Sequence, residues 1–473
     1  MKKLLVIILL VVLSGLSLTF LIIPATDLPK LYVLNWDEYI SEDLIMKFEE
    51  EYDCKVVLEI AESNEIMYSR IKTNSADYDI AIPSDYMIGQ MAQDGLIQKL
   101  DFKQIPNYDF EDEEFIVPTL KAIIDSTELN EYLVPYFWGS LGIMYNTDII
   151  SEEEFEAEAN KYLEEGKSVW NILFDKKYEN MIGMYATSRD SIAAALMALG
   201  YSLNTINEAE LTEAGKMLQQ MNYKGWATDD LKVGVAGGKY GMALVYSGDY
   251  IDALYSLDDA SEANFKMYCP KEANNVFFDA MVIPTTSQNT ELAHQFINFM
   301  IDNEVTEEEY KEYEKELEEY ETLSEKEKKG AEEPSEPLSN AYTNADAVGY
   351  CPALSAVLAD FLDCVEQYPI DLADYEALSE AEKAETEEPD PADYYIGICD
   401  QDAYNPSDIE NGEVYKYLGQ DIYNTYERLY KNAKSNIDEE DTNVSAYILI
   451  GIVAALVLGL TAAAIISKKK KKY

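Results

Sequence analysis

From Lys30 onward the chain alternates short apolar runs with segments whose apolar residues recur every three or four positions. LYVLNW (31–36), KVVLEI (55–60) and YDIAIPS (78–84) read as strands. Between them EDLIMKFEEEY (42–52), NEIMYSRIKT (64–73) and YMIGQMAQDG (86–95) carry helical spacing, the last closed by Gly95. Ser41 is placed to cap the first of these helices, with Glu42 and Asp43 in its opening turn. Strand and helix alternating at this interval predict an α/β lobe on a mostly parallel sheet. A second lobe begins near VWNILF (169–174), and NNVFFDAMVIPTT (274–286) reads as a strand stopped by proline. Ligands of such sheets collect where strands end and turns begin. Trp36 to Tyr39 and Ser84 to Tyr86 both lie at such exits, so two turns that mix rings with acids share one sheet edge.

Two stretches break this rhythm. Residues 304–338 and 371–392 are acidic, contain lysine and are poor in core residues. They share a near-repeat: YETLSEKEKKGAEEP (320–334) and YEALSEAEKAETEEP (375–389) agree at 10 of 15 positions. In the first, Tyr310, Tyr313, Leu317, Tyr320 and Leu323 form a narrow apolar stripe on a charged helix. Both are expected to be surface insertions, either solvated spurs or docking faces.

The two ends carry a different pattern. Residues 4–24 are apolar and follow Lys2 and Lys3, the order of a secretory signal, to be cleaved near Ala25 or kept as an anchor. Residues 446–466 are 21 apolar or small residues in a row, followed by Ser467 and five lysines. That length crosses a bilayer, and the flanking lysines put both ends inside and the body of the chain outside.

Composition narrows the function classes. At 473 residues the chain has room for two or three lobes. A formal charge of −54 leaves no basic surface for phosphates and excludes nucleic acid as a partner. The single histidine, His294, lies in TELAHQFINFM, where helical spacing reads as core or half-buried. One histidine excludes triads, His-based zinc sites and His acid–base chemistry. Five scattered cysteines with no C-x-x-C do not make a disulfide framework, though a bridge or two stays open. No phosphate loop and no metal cluster is legible, so neither a cofactor nor a catalytic residue is expected.

Taken together, LYVLNWDEYI (31–40), AESNEIMYSRIKT (61–73), YDIAIPSDY (78–86), PYFWGSLGIMYN (135–146), LMALGYSLNT (196–205) and FFDAMVIP (277–284) resemble the solute-binding proteins of polyamine ABC transporters, of the spermidine/putrescine type. The resemblance runs from about residue 31 to 435, interrupted by the two acidic insertions. It implies a two-lobed α/β fold, the type II periplasmic-binding-protein fold, with a hinge and an inter-lobe cleft. The insertions and a C-terminal transmembrane helix are additions to it. The domain boundaries it suggests are 1–28 for the signal or anchor, 29–136 for the first lobe and 137–276 for the second. Residues 277–352 would return to the first lobe and 353–440 to the second, with an anchor at 446–466 and a cytoplasmic tail at 467–473. The implied partners are a polyamine, the permease subunits of an ABC importer and the membrane.

The resemblance also carries site residues. Trp36 and Tyr39 match the family's first aromatic pair, Glu38 the acid between them, and Ser84 and Tyr86 the next polar and aromatic pair. Asp279 matches an acid that grips an amine. Phe277 and Tyr246 stand where the family has tryptophan, with Asp249 close to the latter, and Tyr350 matches a cleft tyrosine. Asp190 matches the second of two second-lobe acids; Thr187 replaces the first, and Tyr415 replaces a late glutamine. Asp37 and Asp85 are extra acids beside the site that compensate for the lost one if the ligand needs it. These residue types suit a polyamine, because ammonium groups need carboxylates while the methylene stem needs flat apolar walls, and a ring face serves both. Singly, Tyr246 and Tyr350 also fit a core, Asp190 a helix cap or a pairing among the neighbours of Arg189, and Glu38 a cap on the helix starting near Ser41. Trp138 and Trp170 are expected in the hinge and the second-lobe core. The alternatives are a receptor of the same fold for ferric ion or another organic amine, an enzyme working through paired carboxylates, and an adhesive surface protein.

Overall fold

The computed structural model describes residues 28–435, apart from 110–111, 113, 258–262, 410 and most of 324–333 and 380–400. The two terminal hydrophobic runs and the lysine tail lie outside the described residues. Among those described, no helix is long and apolar enough to cross a membrane.

The first sheet has the order β2 (Lys55–Ile60), β1 (Lys30–Asn35), β3 (Ile80–Ala81), all parallel. The helices Glu42–Glu51 and Asn64–Thr73 make the crossovers. Ser41 caps the first as expected, its Oγ accepting from Leu44 N, and Ser63 caps the second, its Oγ accepting from Ile66 N. Of the strand expected over 78–84, only Ile80–Ala81 pairs with β1; Ala81 also bridges to Val282, and Ser84 makes a single bridge to Asp279. Buried Asp79 fixes this junction. Its carboxylate accepts from Tyr32 N, Ser287 Oγ and Asn289 N, so β1 and β3 are bound to the start of the helix Thr290–Met300.

A long strand, β4 (Val134–Asn146), is buried at every position. Its first half runs antiparallel to β9 (Asn274–Met281) and its second half to β7 (Met242–Tyr246) and β8 (Phe265–Tyr268). Beyond β7 the sheet continues in parallel through β5 (Ile182–Tyr185) and β6 (Gly225–Ala227). Two short strands finish it, β10 (Cys351–Pro352) against β4 and β11 (Gly412–Glu413) against β9. Through β9 the first sheet meets the second, so β4 and β9 tie the two α/β halves together. The second half is covered by the helices Ser188–Leu199, Glu208–Gln219 and Gln420–Lys434, which pack on one another. Gly215 lets the last two approach: a Cβ there would stand 2.7 Å from Leu429 Cδ2.

Trp138 and Trp170 are fully buried, in β4 and under the second half respectively. His294 is a core residue, its Nε2 accepting from Asp101 N at 3.0 Å and its Nδ1 lying 2.7 Å from Thr290 O. Cys54, Cys269 and Cys351 are buried outside any disulfide. Within the first insertion the helix Glu307–Glu321 opens on a Thr306/Glu309 capping box and is tethered by a Lys47–Glu309 ion pair. The second insertion begins inside a helix, Ser355–Glu376, rather than after one.

Candidate ligand-binding cleft

The turn after β1 splits its residues between two environments. Trp36 is half-buried and donates from Nε1 to Ile82 O at 2.8 Å, which lays its ring along the next turn. Asp37 and Glu38 are exposed, Glu38 in the left-handed region at φ 50°. That reversal swings Tyr39 back inward, where its hydroxyl donates to Asp279 Oδ2 at 2.7 Å. The turn is fixed from behind: Tyr39 O accepts from Asn35 Nδ2 and Tyr136 Oη, and Ser41 N donates to Asn344 Oδ1.

After β3, Ser84 and Asn64 exchange two hydrogen bonds, Ser84 N to Asn64 Oδ1 and Asn64 Nδ2 to Ser84 Oγ, both 3.0 Å. Asp85 begins the helix Asp85–Gln93 and is 2% exposed. Its Oδ1 accepts from Tyr86 N, whereas Oδ2 is buried and meets no donor at hydrogen-bonding geometry. The same holds for Asp279 Oδ1. Two buried carboxyl groups with an unsatisfied oxygen each therefore stand within electrostatic range at the junction of β3 and β9. Burial pushes Asp279 up to about 6 against the neighbouring Ser84 and Tyr39 hydroxyls. Burial also raises Asp85 well above the carboxylate range, opposed by the Tyr86 amide and reinforced by Asp279.

On the second half, Asp190 lies in the first turn of its helix behind the N-cap Thr187, whose hydroxyl hydrogen-bonds Asp190 Oδ2. Its Oδ1 accepts from Tyr246 Oη at 2.6 Å and Tyr415 Oη at 3.0 Å. Asp190 is thus satisfied by three hydroxyls, two of them from distant segments. A wall of rings runs between the acids. Tyr246 packs on Tyr185 and Phe277, Phe277 on Tyr350, and Tyr350 on Tyr39, with centroids 5.3, 4.9, 6.2 and 5.0 Å apart. Tyr86 closes one end, its edge on Tyr415 at 6.1 Å and its hydroxyl donating to Glu65.

Nearly all the expected residues converge: Trp36, Tyr39, Ser84, Asp85, Tyr86, Thr187, Asp190, Tyr246, Phe277, Asp279, Tyr350 and Tyr415. Asp37 and Glu38 stay on the rim. Asp85, expected beside the site, is instead among its most buried acids. Sequence reasoning gave no role to Arg189, whose guanidinium stacks over Tyr415 and Tyr426 at 4.5 and 5.1 Å. It also overlooked Tyr185 and Lys232, and noted Asp249 only as nearby. Asp249 is buried in the first turn of the helix Ser247–Tyr255, and burial raises it to about 7 against the pull of Lys232. A signal for it was present: Asp85, Asp190 and Asp249 each follow a strand and lie in the first turn of a helix, so each carboxylate stands near the positive end of a helix dipole.

Two α/β halves joined through β4 and β9 thus gather these acids and rings between them. The comparisons agree. A model of the bacterial extracellular solute-binding protein family matches residues 43–314, and the chain belongs to that family, one of binding proteins rather than enzymes. The chain is similar to the putrescine-binding periplasmic protein SpuD of Pseudomonas aeruginosa, 30% identical over 291 residues, covering 59% of this chain and 76% of the relative. It is 29% identical over 287 residues to the spermidine/putrescine-binding periplasmic protein of Salmonella typhimurium, covering 60% of this chain and 76% of the relative. Among solved structures, a putative spermidine/putrescine ABC transporter protein from Listeria monocytogenes superposes with a TM-score of 0.59 at 29% identity, covering 86% of this chain and 98% of the other. The fold is that of a periplasmic binding protein.

Proposed function

We propose that this protein captures a polyamine such as putrescine or spermidine outside the cell and delivers it to the permease of an ABC importer. The observation that carries this reading is the pair of buried, unsatisfied carboxyl oxygens on Asp85 and Asp279, set beside the wall of Tyr39, Tyr350, Phe277 and Tyr246. An ammonium group brings three donors and a positive charge to such oxygens, and a methylene stem lies well on ring faces. Asp190 already holds three hydroxyls, which makes it a brace for Tyr246 and Tyr415 more than an amine partner. Asp85, from the facing half, adds a carboxylate that offsets the one missing at Thr187. Ferric ion is a poorer match, because burial raises the phenols of Tyr39, Tyr246 and Tyr415, and all three donate to carboxylates instead of standing ready as phenolates.

The mechanism is hinge closure about β4 and β9, with the halves at 29–136 plus 277–352 and 137–276 plus 353–440 parting to admit the ligand. The run at 446–466 anchors the receptor in the membrane with its binding domain on the outer face, supported by its length, its apolar composition and the five lysines behind it. Calorimetric titration of the full chain in detergent with putrescine, spermidine and spermine tests the reading. Saturable one-to-one binding of at least one amine supports it; no heat with any of them would overturn it.

A further inference from the structure

One cation already stands among the acids that adjoin this ring wall. Lys232, on the short helix Asp230–Ala236, keeps only 15% of its side chain exposed, and its ammonium lies 2.6 Å from Asp252 Oδ2 and 3.8 Å from Asp249 Oδ1. Asp249 in turn is in the field of Tyr350 and Tyr185, the rings that continue the wall away from Asp279. From the facing half, Glu38 on its left-handed turn adds to the field at Lys232. Burial works against the charged form, yet Asp249, Asp252 and Glu38 hold the lysine above its ordinary value, so it is an ammonium at neutral pH.

A linear polyamine with one end on Asp85 and Asp279 would run along the wall toward Asp249. Its next ammonium would meet Asp249, and a third would emerge toward Asp252 and Glu38. That last position is where the Lys232 ammonium sits. We infer that Lys232 is a built-in substitute for the third ammonium of a longer polyamine, so that the cleft selects diamines over triamines. The inference rests on the polyamine reading above. Its physical basis is that a third ligand ammonium would have to share the same acids with a like charge, or displace a lysine that already has them. Lys232 therefore sets specificity without being needed for binding as such: it fills a place and does not hold the ligand.

The test is calorimetric titration of the full chain and of K232M and K232Q with putrescine and spermidine, each variant checked by thermal melting. The wild type is expected to bind putrescine at least about tenfold more tightly than spermidine. Either variant should raise spermidine affinity about tenfold while moving putrescine by much less, in line with one extra subsite of about 1.4 kcal/mol. Wild-type protein that binds spermidine as well as putrescine overturns the inference even if both variants fail to fold. So do folded variants with an unchanged ratio, which leave the polyamine reading standing. Wild-type protein that binds neither amine removes that reading and this inference with it.

Discussion

Replacing Asp279 by asparagine removes one charge from the centre of the cleft and almost nothing else. The amide oxygen can still accept from Tyr39, whose hydroxyl sits 2.7 Å from Oδ2. What is lost is the attraction for an ammonium at Oδ1, which is buried and makes no hydrogen bond at full geometry, with the Ser84 hydroxyl beside the carboxyl group. Removing one partner of a buried, hydrogen-bonded charge pair costs about 2–5 kcal/mol, roughly 30- to 4,000-fold in affinity. The empty protein should respond in the opposite direction. Burial lifts the Asp279 carboxyl from 3.8 to about 6. An acid whose pKa is raised by folding favours the native state below its unfolded value, and that contribution is lost as pH rises through the folded one. At pH 7.5 the ionised carboxylate therefore costs the empty protein about 3 kcal/mol. Asparagine carries no such cost, so D279N should melt no lower than the wild type, and higher by as much as that cost allows. Calorimetry with putrescine and thermal melting without it read the two effects separately. Wild-type affinity in D279N would refute the assignment of Asp279 to an ammonium. A large drop in the melting temperature of the empty variant would show that the carboxylate serves the fold instead.

The raised values also predict a pH dependence. Asp279 near 6, Asp249 near 7 and Asp85, held well above the carboxylate range by burial, must ionise to receive ammonium groups, so putrescine affinity should rise with pH from 5.5 through 8. Each carboxyl that loses a proton adds up to about tenfold per pH unit below its pKa, and calorimetry in buffers of different ionisation heat should register the released protons. Gly248→Ala would drive a Cβ into the Tyr350 ring. Binding should weaken about tenfold or more as that ring is pushed from the wall, a loss visible by calorimetry, with little change in the melt if the ring finds room. Excising 307–334, which the exposed Lys47–Glu309 ion pair joins to the helix Glu42–Glu51, should leave putrescine affinity within about twofold. A chain ended at residue 440 should move from the membrane fraction to the soluble fraction if 446–466 is the anchor, as fractionation and blotting would report.

The local parts of the fold were open to reading from residue order. β2 at 55–60 and the helix 64–73 fall where the apolar periodicity puts them, because period and capping are properties of neighbouring residues. The third strand was overread, since only two of its residues find a partner and the rest of the run makes bridges to a segment two hundred residues away. β4 carries no alternation, being buried on both faces, so nothing in its sequence told that its first half pairs with β9 and its second half with β7 and β8. At the site, the ring-and-acid turns at 36–39 and 84–86 could be seen as special because they break the rules for both core and loop. The depth of Asp85, the stacking of Arg189 between Tyr415 and Tyr426, and the seat of Lys232 could not. Each depends on segments brought together from far along the chain, and a lysine on a short helix looks like any surface lysine until its acids are in place.

The most direct measurement of the central claim is a crystal structure of the chain grown with saturating putrescine. The account predicts the diamine between the two halves, with one ammonium about 2.7–2.9 Å from Asp279 Oδ1 and its stem against the rings of Tyr350 and Phe277. Putrescine bound elsewhere, with Asp85 and Asp279 left untouched in a closed cleft, would contradict it.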